Sequence, residues 1–429
     1  MRVTAVGHVE FRGALVEFVL DWAGEPDPQG APVSFNQGNH LRQHATPGSR
    51  PVWLAGSVEL AGPALPDGDV AGVDIARVAT VIGQVIAEQE ALRLRFRCDP
   101  EPRQHLFSPD QLQVTPRHAG MVDTDDVVAL LNSRCHPRAS PGLCFALVGT
   151  TLLCGFDHAH ADALTIDIVL RRIVALYHDP ATPAPVVAGF VQRCISEDAR
   201  PTMNESADRA AGFATWEQFF AETGGKVPRF PLPLGDVPAA TGQATHVRTL
   251  LADEDAAHLD DGLFAALLSE LAGAVADLGG PDRLATLIPL HTRGRRDSGW
   301  HATAGWLVTN APVVVDGGDR PGARAAIRRA VDAAGIPLPD VLARCAPQLP
   351  AGDLFMVSFL DYRKLGPELR GGQHISACST ADDVQIWFSR THRGLDVRVR
   401  YPATATATAA VVGLTDALAR RLRQPVPVS

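Results

Sequence analysis

An apolar run from Phe145 to Phe156 breaks into Asp157-His158-Ala159-His160-Ala161-Asp162 and then into an amphipathic stretch over Leu164 to Tyr177. No other feature constrains this chain as much. Continuous apolar residues of strand length read as a strand covered on both faces. The following stretch has the spacing of a helix that lies on such a sheet. A strand feeding a helix through a short polar corner is α/β organisation. Corners at the carboxyl ends of buried strands are where α/β proteins commonly place reactive groups. The expectation is an α/β chain with its candidate site around residues 157 to 163.

The remaining pattern mixes strands and helices throughout. Strand signals fall at Ala14–Leu20, Val52–Leu60, Leu106–Val114, His246–Leu251, Leu284–Leu290, Trp306–Val315, Leu354–Leu360, Val384–Phe388 and Leu395–Tyr401. Helical spacing covers Val73–Leu94, Thr124–Ser133, Ala210–Thr223, Asp255–Leu278, Pro321–Ala334 and Thr408–Leu422. Ser34 is placed to cap a further helix. The proline-rich stretch Asp179–Pro185 reads as a boundary, which predicts two subdomains over residues 1–185 and 186–429.

Composition narrows the function classes. The chain has 429 residues, 46% hydrophobic and 20% charged, with a formal net charge of -9. It can bury sizeable cores without a metal or disulfide staple. An acidic chain whose arginines cluster only briefly, at Arg293, Arg295 and Arg296 and again near Arg420, has no stripe for nucleic acid. Seven cysteines without a C-x-x-C pair suit neither a zinc site nor a disulfide framework. No apolar leader or long apolar span is present, so a cytoplasmic protein without a membrane span is expected.

Two histidines and two aspartates among alanines admit three readings. Asp162 can be the N-cap of the helix that follows, with both histidines merely solvated. His158-Ala159-His160-Ala161-Asp162 begins a zinc pattern, but Ala163 stands where the next ligand would be. One imidazole can instead take a proton from an alcohol or amine attacking an activated acyl group.

His158 and Asp162 match the second histidine and the aspartate of the HHxxxDG motif of condensation-domain acyltransferases, with Asp157 and Ala163 in place of the first histidine and the glycine. Three more stretches follow in that superfamily's order. Pro32-Val33-Ser34-Phe35-Asn36-Gln37 with His40-Leu41 resembles its N-terminal signature. Gln89 to Phe96 resembles "HEALRTRF". Ala304-Gly305-Trp306-Leu307-Val308-Thr309-Asn310-Ala311-Pro312 resembles "vGxfvNxxP", with Asn310 one place late. The D-H-x-H-x-D stretch, Pro289-Leu290-His291-Thr292-Arg293 and Ser358-Phe359-Leu360-Asp361-Tyr362-Arg363 resemble the polyketide-associated acyltransferases of actinobacteria, of the trehalose-lipid type.

The resemblance implies two chloramphenicol-acetyltransferase-like subdomains in a V-shaped pseudo-dimer with a central tunnel. It implies His158 as general base, supported by Asp162 paired with an arginine of the second subdomain, Arg293 or in its place Arg295. Asp157, His160, Ala163, Trp306 and Asn310 are the substrate-channel candidates. The implied donor is acyl-CoA or a phosphopantetheinyl carrier protein, the acceptor a small alcohol or amine, with no cofactor or metal and a monomeric chain. Alternatives of the same fold are a stand-alone amide-forming nonribosomal-peptide condensation enzyme and a non-catalytic recruitment module.

Overall fold

The computed structural model describes residues 1–45, 49–60, 72–199, 207–294, 297–350, 352–377 and 379–424. Contacts gather the chain into two compact units. Unit 1 comprises Met1–Arg200, Thr292–Leu307 and Pro367–Cys378; unit 2 comprises Pro201–His291, Val308–Gly366 and Ser379–Ser429. The packing thus draws its division differently from two uninterrupted halves meeting at residue 185. The chain beyond the prolines stays with unit 1 because Phe190 is fully buried there, its ring beneath Gly305.

In chain order, unit 1 contributes β1 (Arg2–Ala5), β2 (Gly13–Trp22), β3 (Ala31–Pro32), α1 (Phe35–His44) and β4 (Trp53–Glu59). It continues with α2 (Ile75–Glu88), β5 (Leu94–Arg97), β6 (Arg103–Leu106), β7 (Leu112–Val122) and α3 (Thr124–Arg134). Next come β8 (Leu143–Val148), β9 (Thr151–Asp157), α4 (Ala163–His178) and α5 (Phe190–Asp198). Unit 2 supplies α6 (Ala207–Glu222), β10 (Gln243–Ala252), α7 (Asp253–Ala257), α8 (Leu263–Asp277), β11 (Arg283–His291) and β12 (Val308–Asp316). It adds α9 (Arg320–Ala333), α10 (Leu338–Cys345) and β13 (Met356–Asp361). The strand β14 (Gln373–Ser376) returns to unit 1, and β15 (Gln385–Thr391), β16 (Gly394–Pro402) and α11 (Ala405–Leu422) complete unit 2.

The main sheet of unit 1 runs β1-β14-β4-β9-β8-β2-β7, antiparallel except for the parallel β1–β14 pair. A small sheet, β3-β6-β5, stands beside it. In unit 2 the order is β10-β16-β15-β13-β11-β12, with parallel pairs at β15–β13 and β13–β11. Leu267, Leu271 and Val275 of α8 and Leu414 and Leu418 of α11 form the core of unit 2 with Val357, Phe388 and Val397 of its sheet. Phe213, Trp216, Phe219 and Phe220 of α6 build a second apolar cluster with Ile336 and Val341.

Three local outcomes differ from the sequence pattern, each for a physical reason. The single strand expected over 145–156 is the hairpin β8–β9. Both strands are buried but for Thr151, so the half-buried turn Gly149-Thr150 is only a brief mark inside a long apolar run. The turn itself needs Gly149, whose φ of 59° is strained for any residue with a Cβ. The helix expected from Val73 to Leu94 stops at Glu88, because Gln89 turns extended and spends its side chain on distant backbone. The helix expected over 255–278 is divided at Gly262, in the left-handed region with φ 78°.

Glycine also sets how closely α4 approaches the sheet. A Cβ at Gly56 of β4 would lie 2.3 Å from Ile166 Cγ2 and 2.7 Å from Leu170 Cδ1, both on α4. The strand that pairs with β9 thus lets α4 settle against the sheet next to the polar corner. Gly56→Ala is expected to destabilise unit 1 by about 1–3 kcal/mol, the range for overpacking a filled core. Urea unfolding followed by far-ultraviolet circular dichroism measures it.

Candidate active site

The sequence folds a tight corner between β9 and α4. Asp157 ends the strand, and its backbone N–H bonds the Gly142 carbonyl at 2.7 Å. Its carboxylate accepts the Ala159 N–H at 2.9 Å, and the His160 N–H returns to the Asp157 carbonyl at 2.9 Å. The short side chain of aspartate closes such a turn on its own backbone. Asp162 then caps α4, accepting the Thr165 N–H at 2.8 Å and its hydroxyl at 2.9 Å.

The cap is also an ion pair. Arg293 is fully buried, and its guanidinium meets Asp162 end-on, Nη1 to Oδ2 at 2.6 Å and Nη2 to Oδ1 at 3.0 Å. Asp162 Oδ2 accepts the Leu307 N–H at 3.0 Å as well. The other guanidinium hydrogens go to Thr303 and Gly305 carbonyls, and the Thr165 hydroxyl bridges Arg293 and Gly305. The capping and ion-pair readings of Asp162 therefore describe one carboxylate doing both. Arg293 was expected from the second subdomain; its segment, residues 292–307, packs with unit 1. Arg295 lies outside the described residues.

His158 sits partly buried inside the corner. Its Nδ1 is 2.9 Å from the Ala161 carbonyl, which can only accept, so that nitrogen carries the proton. Nε2 is left with its lone pair. The Trp306 indole stacks on the ring, centroids 3.8 Å apart at 20°. Burial, and after it the positive charge of His40, bring the His158 pKa down to about 4. The ring is thus neutral across the physiological range.

The remaining candidates fall into place around it. His160 is buried and turned inward, Nδ1 on the Ala91 carbonyl at 2.7 Å and its ring 4.9 Å from Phe96; burial lowers its pKa. Ala163 opens α4 with an ordinary negative φ, its N–H in the first turn, where helix amides lack an intrahelical acceptor. Asp157 meets His40, whose Nε2 lies 3.0 Å from each carboxylate oxygen. Burial would raise the Asp157 pKa, but His40 and the Ala159 N–H hold it below the usual carboxylate range. Asn310 belongs to unit 2, on β12 opposite Pro289.

Sequence reasoning left several participants without a role. Gln37 of α1 donates to the Ala159 carbonyl at 2.9 Å, while its oxygen completes a capping box with Ser34. Gln89 donates to the Ala302 carbonyl at 2.9 Å and accepts the Ala304 N–H at 2.8 Å. Thr165 and His40 belong with them. The Ser34-x-x-Gln37 spacing was a readable capping signal; the long-range partners carried none.

Three stretches that carry the sequence resemblance, residues 32–41, 89–96 and 157–163, and the first part, 304–307, of the fourth, 304–312, are thus stitched to one another by hydrogen bonds. Over the whole chain, the structure is similar to that of a PapA2 acyl transferase, with a TM-score of 0.82 at 16% identity, covering 99% of this chain and 100% of that one. It is also similar to the first condensation domain of the calcium-dependent antibiotic synthetase, with a TM-score of 0.64 at 15% identity over 93% and 98%. At these identities the likeness is one of fold, which this chain shares with both structures.

In sequence the chain is similar to the acyltransferase PapA3 of Mycobacterium tuberculosis, 25% identical over 233 residues. That match covers 50% of this chain and 48% of PapA3, so it spans about half the relative's length. A longer match, 22% over 408 residues, covers 86% of the chain and 73% of the 2'-acyl-2-O-sulfo-trehalose (hydroxy)phthioceranyltransferase PapA1 of Mycobacterium bovis. No family model matches the chain.

Removing one partner of the buried ion pair leaves the other charge uncompensated. Asp162→Ala is expected to cost about 3–5 kcal/mol in chemical denaturation. Burial works to raise the Asp162 pKa, but Arg293 and the Thr165 donors hold it below its ordinary value. Its contribution is therefore present above the unfolded carboxylate range and lost as pH falls below it. His158, depressed to about 4 from 6.5, makes stability decline between those two values on acidification. Wild-type stability measured from pH 8 down to about pH 2 should accordingly decrease in two stages, the first above about pH 4 from His158 and the second below the carboxylate range, and Asp162→Ala should lack the second.

Proposed function

We propose that this chain is an acyltransferase that moves an acyl group from a thioester, acyl-CoA or an acyl carrier protein, to an alcohol or amine acceptor. The observation that carries the reading is the state of His158: Nδ1 is committed to the Ala161 carbonyl, leaving Nε2 as an uncharged proton acceptor. Similarity to PapA3 and PapA1, which bear acyltransferase names, supports it.

The acceptor O–H or N–H would hydrogen-bond to Nε2 while its oxygen or nitrogen attacks the thioester carbonyl carbon. An imidazole held near pKa 4 is a weak base, so it would orient the nucleophile first. The proton would pass to Nε2 only as the nucleophile becomes acidic in the transition state. Trp306 and the Ala161 carbonyl would hold the ring plane during this transfer. When the tetrahedral centre collapses, the carbon–sulfur bond breaks and the proton on Nε2 passes to the departing thiolate. The Ala163 N–H, at the positive end of α4, would face the oxyanion between these steps. Asp162 and Arg293 would act only by fixing the corner.

Incubating the purified chain with acyl-CoA and acyl-carrier donors and with alcohol and amine acceptors, and following products by mass spectrometry, tests the reading and names the bond formed. His158→Ala should lower turnover by about 100-fold or more. An unchanged rate would remove His158 from the chemistry. An ester product distinguishes this enzyme from an amide-forming condensation enzyme. In wild type, kcat/KM should hold level from pH 8 to pH 6 and fall only on approach to the His158 value of about 4.

A further inference from the structure

Asp157 occupies the motif position that carries an imidazole in the superfamily pattern, yet an imidazole is present all the same. It comes from elsewhere in the chain, from His40 on α1. We propose that His40, clamped by Asp157, is a positioning residue that fixes the His158 ring against Trp306 and sets the charge around it.

The geometry carries this in three steps. The two Asp157 oxygens each lie 3.0 Å from His40 Nε2, so the carboxylate straddles that nitrogen. Asp157 is fully buried and His40 nearly so, which leaves the pair little room to move. One turn earlier on α1, Gln37 grips the Ala159 carbonyl, so the helix holds residues on both sides of His158. Finally, three rings meet. His158 stacks on Trp306, and His40 lies 5.9 Å from the indole at 73° and 6.2 Å from His158. An edge-on ring of this kind restrains an indole that a stacked ring alone would let slide.

His40 touches no atom that would react; it acts through His158 and Trp306. Among the described residues, the Cys135 thiol interacts with Asp157 from the end of α3. His44 lies 4.9 Å from His40 on the same helix, and His160 faces Asp157 from the far side of the corner. The Asp162–Arg293 pair beyond is charge-compensated. A positive His40 disfavours a second positive charge on His158, while Asp157 favours it, and His40 has the larger effect. Replacing His40 by a neutral amide should therefore make His158 easier to protonate.

The kinetic part of this inference rests on the proposed role of His158; the spectroscopic part does not. Nuclear magnetic resonance of ring-labelled histidine in the full chain would follow His158 in wild type, His40→Gln, Asp157→Asn and the reciprocal exchange His40→Asp/Asp157→His. In His40→Gln the His158 titration midpoint should rise by roughly half a pH unit or more. In Asp157→Asn the upfield shift that the Trp306 ring imposes on the His158 Cε1 proton should shrink. With an active donor–acceptor pair, both single variants should lose roughly 10- to 100-fold in kcat with KM changed less than about twofold. The exchange, which restores an opposed pair, should recover part of the loss. A His158 midpoint and ring-current shift equal to wild type in both folded single variants would overturn the proposal, whatever the turnover. A wild type without turnover but with the expected spectroscopic changes would leave His40 in its role and remove the acyltransferase reading instead.

Discussion

The buried pair of Asp162 and Arg293 is the constraint on which the rest of the site depends. Two charges removed from water are tolerable only when nearly every donor and acceptor on them is satisfied. Here the carboxylate receives the guanidinium, two groups of Thr165 and the Leu307 N–H, while the guanidinium also reaches Thr303 and Gly305. These bonds tie the start of α4 to residues 303–307. That tie sets where Trp306 stands and hence which face of His158 is covered. The ion pair thereby transmits its geometry to a ring it never touches.

A second consequence concerns the tautomer. A histidine whose Nδ1 donates to a carbonyl presents a lone pair at Nε2 without needing an aspartate behind it. The Ala161 carbonyl does this within the same corner, three residues on. The acid of the corner, Asp157, is thereby released to hold His40. Two imidazoles and two carboxylates in one short segment are thus separated into distinct tasks by backbone geometry.

How much of this was legible in the sequence depends on the range over which each feature acts. The corner between residues 157 and 163, the helix behind it and the cap at Asp162 follow from local spacing, and the structure places all three there. Arg293 was singled out only through the motif resemblance, since 131 positions separate it from Asp162. The hairpin inside residues 145–156 was hidden because its turn leaves only the short mark Gly149-Thr150 between two strands that are otherwise apolar and buried. The strand Gln373–Ser376 went unread: it is four residues long and draws its stability from β1 and β4, both distant in sequence. The pairing of His40 with Asp157 spans 117 positions and has no periodic signature.

Unit 1 is assembled from three separate lengths of chain, and this bears on the order of events during synthesis. A ribosome that has released only the first 200 residues has made the Asp162 carboxylate but not the guanidinium that neutralises it. The indole that covers His158 is also still to come. The sheet waits longer still, since the strand between β1 and β4 arrives after residue 372. Loop closure over such separations is slow relative to local helix formation. The corner that holds His158 is therefore encoded early and completed late, so a nascent chain carries the histidine well before it carries the site.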